Sequence, residues 1–166
     1  NVVGNTAHLW NARGYYSQTI YDTLHRPMSI HVSGNELDQV VQLMEYGEDE
    51  TDAADKNMRG QLIRHYDQAG LVEYELFDFK GGMLSTTRTL RSDYISEVDW
   101  DDPSTVDMEA ESFTTTIAYD ARGRVVEQIK SDGSITTPRY HQTGLLKNLK
   151  PKITPEKYWK YMKVKI

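Results

Sequence analysis

The residues best equipped for chemistry in this 166-residue chain are its carboxylates. Asp22, Asp67, Asp78 and Asp120 each directly follow an aromatic residue, respectively Tyr21, Tyr66, Phe77 and Tyr119. A row of aligned acids could exchange protons with a substrate or hold a hard cation. A second group, Asp99, Asp101, Asp102, Asp107, Glu109 and Glu111, is crowded into one stretch, without the spacing of a calcium loop around a central Gly. It reads as a solvated loop. His8, His25, His31, His65 and His141 never form the i, i+4 pair of a zinc protease, and neither a Gly-x-Ser-x-Gly elbow nor a phosphate-cradling loop occurs. With no Cys, disulfides and thiolate metal sites are excluded. The expectation is therefore no catalytic residue, no metal and no cofactor.

The surroundings of the aspartates give them another role. The pattern aromatic, then Asp, Asn or His, two free positions, then Gly recurs along the chain. It occurs at Trp10-Asn11 closing on Gly14, Tyr66-Asp67 on Gly70, Phe77-Asp78 on Gly81, Tyr119-Asp120 on Gly123, and Tyr140-His141 on Gly144. Tyr21-Asp22 is a sixth copy with His25 in the Gly position. The chemistry of this unit is a hairpin corner: the Asp or Asn oxygen accepts a backbone N–H two residues on, and Gly takes the left-handed conformation. The aromatic ends the incoming strand, where it can pair across strands. His25 at positive φ costs more than Gly would, which leaves that corner open to a different turn.

Spacing then gives the architecture. Aromatics at 10 and 21, and at 66 and 77, lie eleven residues apart. That is room for a turn and a strand of about six or seven residues at roughly 3.3 Å each. Consecutive corners fall on opposite edges of a narrow meander. Residues 15–20, 28–32, 71–76, 83–90, 125–129 and 135–140 are rich in β-branched and aromatic residues and are predicted strands. Asp132-Gly133-Ser134 is a tight turn between the last two. Two insertions, about 35–60 and 92–112, interrupt the strip. In the first, 37–46 reads as a strand, and Thr51 caps a short helix over 52–59 that Gly60 ends; the second is acidic, contains Pro103 and reads as irregular. Eleven Tyr and three Trp against three Phe suit two-sided sheets better than a dry core. The fold class expected is mainly β, an antiparallel meander with one or two short helices.

The net charge of −6 is unevenly spread, because Lys147, Lys150, Lys152, Lys157, Lys160, Lys163 and Lys165 face only Glu156 at the end of the chain. The body ahead of them is strongly acidic and repels phosphate backbones, which argues against nucleic acid as its partner. No apolar stretch approaches the roughly 20 residues of a membrane span. The first residues lack a basic and apolar leader, so a secretion signal is expected elsewhere in a longer parent, or not at all. The sequence divides into a repeat strip over 1–149 and a Lys-rich tail over 150–166 outside the pattern. In the tail, Thr154-Pro155-Glu156 is a helix start, followed by Tyr158, Trp159, Tyr161 and Met162. Its readings are an anionic-partner contact or membrane-surface helix and, favoured over these, a packing helix, a strand or an appendage.

The corners Tyr66-Asp67-Gln68-Ala69-Gly70, Phe77-Asp78-Phe79-Lys80-Gly81 and Tyr119-Asp120-Ala121-Arg122-Gly123 resemble those of the RHS or YD-repeat family. Within it, the chain is most similar to the repeat region of large bacterial toxins of the insecticidal toxin complex type, over about residues 5–147. The resemblance implies a secreted or cell-surface protein and a strip of β-hairpins wound into a hollow shell around a toxic effector. This chain holds too few corners to close a shell and resembles a segment of its wall. The remaining repeats and the enclosed effector are then its partners. Family shells often end in an aspartic autoprotease with an Asp-Pro signature; Asp102-Pro103 lacks its Gly-rich context, and no catalytic residue is carried over. The rival reading is a module whose exposed aromatics contact carbohydrate or a cell-surface protein. A strip cut from a longer one exposes two unpaired strand edges, which invite self-association. Sedimentation of the isolated chain is expected to show dimers or larger species, and a clean monomer would count against the segment reading.

Overall fold

The computed structural model describes residues 2–152. They form eleven strands: β1 (His8–Trp10), β2 (Tyr16–Tyr21), β3 (Pro27–Gly34), β4 (Leu37–Tyr46), β5 (Leu62–Asp67), β6 (Gly70–Phe77), β7 (Met83–Arg91), β8 (Met108–Tyr119), β9 (Val125–Ile129), β10 (Ile135–Tyr140) and β11 (Leu146–Lys152). All lie in one sheet in sequence order, and every neighbouring pair is antiparallel. The meander expected from the corner spacing is therefore the architecture of the described residues. Among the described residues no helix is long and apolar enough to cross a membrane.

The segment over 52–59 is not a helix. Its hydrogen bonds alternate in span, from Ala53 N–H to Glu50, Lys56 to Asp52, Asn57 to Ala54 and Met58 to Ala53. Asn57 sits at φ +53, which breaks any helical run before Gly60. Tertiary contacts override the local capping signal: the Phe77 N–H donates to the Lys56 carbonyl at 3.1 Å, and the Asn57 amide donates to the Phe77 carbonyl at 3.1 Å. The one helical turn among the described residues is a short 3-10 segment, Pro103–Thr105, in the second insertion, capped by the Asp102 carboxylate on the Ser104 N–H. That insertion is irregular only as far as Asp107, because β8 begins at Met108. The last strand runs through Lys152, past the end of the recognisable repeat. The helix start at Thr154 lies outside the described residues.

The core is short and central. Its buried apolar side chains are Met44, Ile63 and Phe77 from the sheet, Ala53 and Met58 from the first insertion, and Val98 and Trp100 from the second. No residue of β1, β2 or β3, and none of β8 to β11, is fully buried. Ala53, Met58, Ile63 and Phe77 form one cluster, with Tyr74 and Met83 packed against it. The second insertion leaves the sheet at Arg91, crosses the tip of the β5–β6 hairpin and returns at Met108. Its base is closed by the Ser92 N–H on the Asp107 carbonyl at 2.9 Å. Where β4 extends beyond β5, Asp99 and Trp100 take the place of a neighbouring strand. The Trp100 N–H donates to the Val40 carbonyl, and the Val40 N–H to the Asp99 carboxylate, both at 2.9 Å. The Trp100 indole, 1 % exposed, packs on Tyr66 with ring centres 5.1 Å apart and donates to the Asp67 carbonyl at 3.0 Å.

Gly70 shows how tightly this centre is built. Its φ is +133, and a Cβ added there would lie 2.3 Å from the Thr89 carbonyl oxygen on β7. Gly123 has φ +76 but open space around it. In urea unfolding, Gly123→Ala is expected to cost about 1 kcal/mol from backbone strain alone. Gly70→Ala adds a backbone clash and is expected to cost more than about 2 kcal/mol. Equal costs would mean that the Gly70 contact does not constrain the folded state.

Candidate functional site

Six of the corners share one geometry. At Asn11–Tyr15, Asp22–Arg26, Asp78–Gly82, Asp120–Arg124, Lys130–Ser134 and His141–Leu145, the first residue donates its N–H to the fifth residue's carbonyl at 2.8–3.0 Å. The fourth residue's N–H returns to the first carbonyl at 2.8–3.3 Å. The fourth residue always has positive φ, from +62 to +89. This is the three-residue hairpin loop, a tight turn followed by a left-handed bulge residue. His25, at φ +62, takes up the same turn as the glycines, so the corner at Asp22 does not differ in kind. Asp67–Gly70 does differ: these two residues pair directly across a two-residue turn.

Side-chain oxygens hold the corners closed. One Asp22 oxygen accepts the N–H groups of Leu24 and Arg26 at 2.9 and 2.8 Å. Asp78 binds Lys80 and Gly82 at 2.8 and 2.7 Å, and Asp120 binds Arg122 and Arg124 at 2.8 and 3.0 Å. Asn11 does the same for Arg13 and Tyr15 at 2.9 and 3.1 Å. The second carboxylate oxygen of Asp22 and of Asp120 takes a guanidinium, Arg26 at 2.7 Å and Arg124 at 2.6 Å. Asp67 instead accepts a two-pronged contact from Arg88 at 2.6 and 2.9 Å.

These contacts set the charge state. The Arg124 guanidinium, helped by the Arg124 N–H, lowers the Asp120 carboxyl to about 2. At Asp22 and Asp67 desolvation pushes upward, but the Arg26 and Arg88 contacts outweigh it and both carboxyls end below the usual range. A proton-transferring acid needs a pKa near the working pH; these groups are shifted the other way. The second acidic group is dispersed: Asp99 binds Val40 and Asp101 N–H groups, and Asp102 caps its own turn. Among the described residues no group of three or more His, Asp or Glu side chains is placed to hold a metal ion.

The tyrosines that end strands have a job that pairing alone does not describe. The Tyr21 hydroxyl donates to the Thr6 carbonyl at 2.7 Å, Tyr46 to Pro27 at 3.0 Å and Tyr140 to Val125 at 2.9 Å. Each tyrosine ends one strand and grips the chain at, or in the case of Thr6 two residues ahead of, the start of the strand before it. Arg26 lies over the ring of Tyr46, which ends β4 ahead of the first insertion, at 3.9 Å, and Arg124 over Tyr140 at 4.5 Å, so a corner's arginine stacks on the tyrosine that ends the next strand but one along the same edge. Lys80 continues this edge by donating to the Ala121 carbonyl at 2.5 Å, and Arg26 also reaches Glu48 at 2.6 Å. Sequence reasoning missed this chain of contacts, although Arg26 and Arg124 both directly follow the fourth corner residue. It also missed the Lys130–Ser134 corner as a member of the set, because Ile129 and Lys130 replace the aromatic and the acid; Gly133 was the surviving signal.

No protein-family model matches the sequence, and no curated protein matches it. Solved structures do. The crystal structure of TcdB2-TccC3 superposes with a TM-score of 0.81 at 23% identity, covering 92% of this chain and 8% of that one. The strip has the fold of a Tc toxin segment. The complex of TcdB2-TccC3 with Cdc42 gives the same values. The Tc holotoxin pore of Photorhabdus luminescens gives 0.79 at 22% identity, covering 92% of this chain and 7% of that one. The chain thus spans less than a tenth of the toxin chains it matches, and the similarity is one of fold. It agrees with the resemblance carried by the aromatic-Asp corners.

The corner electrostatics give a pH dependence. An unfolded Asp titrates near about 3.9, whereas folded Asp120 titrates at about 2. Since the folded value is the lower, its stabilising effect is complete above the unfolded pKa and is lost as pH falls through the folded one. The melting temperature is expected to fall between about pH 4 and about pH 2. Asp120→Asn keeps an acceptor oxygen but cannot titrate, and should flatten that fall. An unchanged profile would contradict the assignment.

Proposed function

We propose that this chain is a wall segment of an RHS-type toxin shell, a scaffold that helps enclose or deliver a toxic effector and performs no catalysis itself. The observation that carries the proposal is the superposition of almost the whole strip on a small part of the toxin chains. Two further features support it. Among the described residues, the sheet ends at β1 and β11 with no further strand beyond them, and these outer strands bury no residue fully. Such a sheet gains most when further strands continue it. The corner acids are occupied as acceptors by backbone and guanidinium groups, which suits a scaffold rather than a proton relay.

The natural surroundings of the segment are then the other repeats of a longer secreted protein, together with its cargo. Reading the parent gene on both sides of residues 1 and 166 tests this. Further aromatic-Asp-x-x-Gly corners at strand-length spacing are expected on at least one side. Flanks that encode an unrelated domain on both sides would overturn the proposal.

A further inference from the structure

We propose that the corner at Asp78 is a seat for an arginine side chain supplied by a partner polypeptide. Four corners of the strip begin with aspartate, and three of those carboxylates are paired with an arginine. Asp22 pairs with Arg26, Asp67 with Arg88 and Asp120 with Arg124, at 2.6–2.7 Å. Asp78 has no ion-pair partner among the described residues. The reason lies in the fifth corner residue, which is Arg26 or Arg124 at two corners of the same geometry and Gly82 here. One Asp78 oxygen collects the Lys80 and Gly82 N–H groups, as its counterparts do. The other accepts no hydrogen bond among the described residues, and it lies 2.9 Å from the position that a Cβ on Gly82 would take.

The aromatic half of such a contact is also in place. Arg26 and Arg124 lie over Tyr46 and Tyr140, each of which ends the second strand after its corner. By the same count the Asp78 corner faces Tyr119, at the end of β8. Among the described residues Tyr119 has no cation over its ring, and its hydroxyl grips no carbonyl as those of Tyr46 and Tyr140 do. Between them lies a cavity of about 280 Å³, lined by Asp78, Phe79, Lys80, Leu84 and the Tyr119–Ala121 corner. It occupies the place that an arginine fills twice elsewhere on this edge. Lys80 does not take the seat, because its ammonium donates to the Ala121 carbonyl. A carboxylate oxygen with an aromatic ring beyond it suits a planar guanidinium, which donates in its plane and stacks through its face. An ammonium meets the charge only as a point, and a hard cation needs more oxygen ligands than one carboxylate gives. Phe79, 84% exposed on the rim, offers apolar contact to the residues that flank an arginine within a chain. This inference does not rest on the shell-wall reading.

Titration of the isotope-labelled full chain with acetyl-Ala-Arg-Ala amide, followed by NMR, tests it. The lysine and citrulline counterparts and free arginine are the comparisons. The arginine peptide is expected to bind with millimolar affinity and to shift the Gly82 amide and the Tyr119 ring signals. Citrulline keeps the shape without the charge, lysine the charge without the fork, and free arginine the fork without the flanking chain; all three should bind more than threefold more weakly. Gly82→Arg supplies the guanidinium from within the chain and should abolish peptide binding. Gly82 is not one of the left-handed glycines, and the Asp78 oxygen that a new side chain would meet is free to turn aside. Should that variant fail to fold, Tyr119→Leu replaces it and must weaken the arginine peptide more than threefold. No binding of the arginine peptide, equal binding of any comparison ligand, shifts confined to residues away from Asp78 and Tyr119, or binding that persists in folded Gly82→Arg would each overturn the proposal.

Discussion

The strip is built around one small arrangement, found at four of its corners: a side-chain oxygen that collects two backbone N–H groups at the bend of a hairpin. A three-residue loop leaves donors that no strand can satisfy, and unsatisfied backbone groups are costly. Asn11, Asp22, Asp78 and Asp120 satisfy them from within the corner. The left-handed fourth residue then sends the chain back in the register that the bulge dictates. Because each corner closes locally, strands can be added one after another without crossovers, and sequence order becomes sheet order. The cost is that a single layer of sheet has little core.

Two departures from the repeat supply that core. The first insertion brings Ala53 and Met58 onto Ile63 and Phe77, and the second brings Trp100 onto Tyr66. Both use side chain and backbone together, so that they cover the sheet and also satisfy its edges. At β4, Asp99 and Trp100 act as a substitute strand. Along one edge of the strip, Arg26 reaches the end of β4 while Lys80 and Arg124 each reach a neighbouring corner, which couples turns that are distant in sequence. The outer strands have no comparable support within the described residues.

The strands and the meander were legible because alternating β-branched segments lie between turn signals at regular spacing. Val125–Ile129 and Ile135–Tyr140 have the bounds that their composition suggested. The failures have a shared cause, which is that local signals yield to contacts made across the sheet. Thr51, the acidic run before it and Gly60 look like a capped helix, yet Lys56 and Asn57 are drawn into hydrogen bonds with Phe77. The corner at Lys130 was legible only as a tight turn at Asp132-Gly133-Ser134, because it has no acid at its first position; backbone bonds close it around Gly133, and the Asp132 carboxylate accepts the Ser134 N–H. The tyrosine contacts were invisible for a simpler reason: the carbonyls they grip lie 15 to 19 residues earlier, and a carbonyl has no residue identity to read.

The central claim is that Asp22, Asp78 and Asp120 are structural acceptors, each occupied by two backbone donors. Native-state hydrogen exchange measures those donors one by one. The amides of Leu24, Arg26, Lys80, Gly82, Arg122 and Arg124 are expected to be protected, and to exchange together with the strands they join. Exchange at the rate of open loops, with the neighbouring strand amides still protected, would contradict the account.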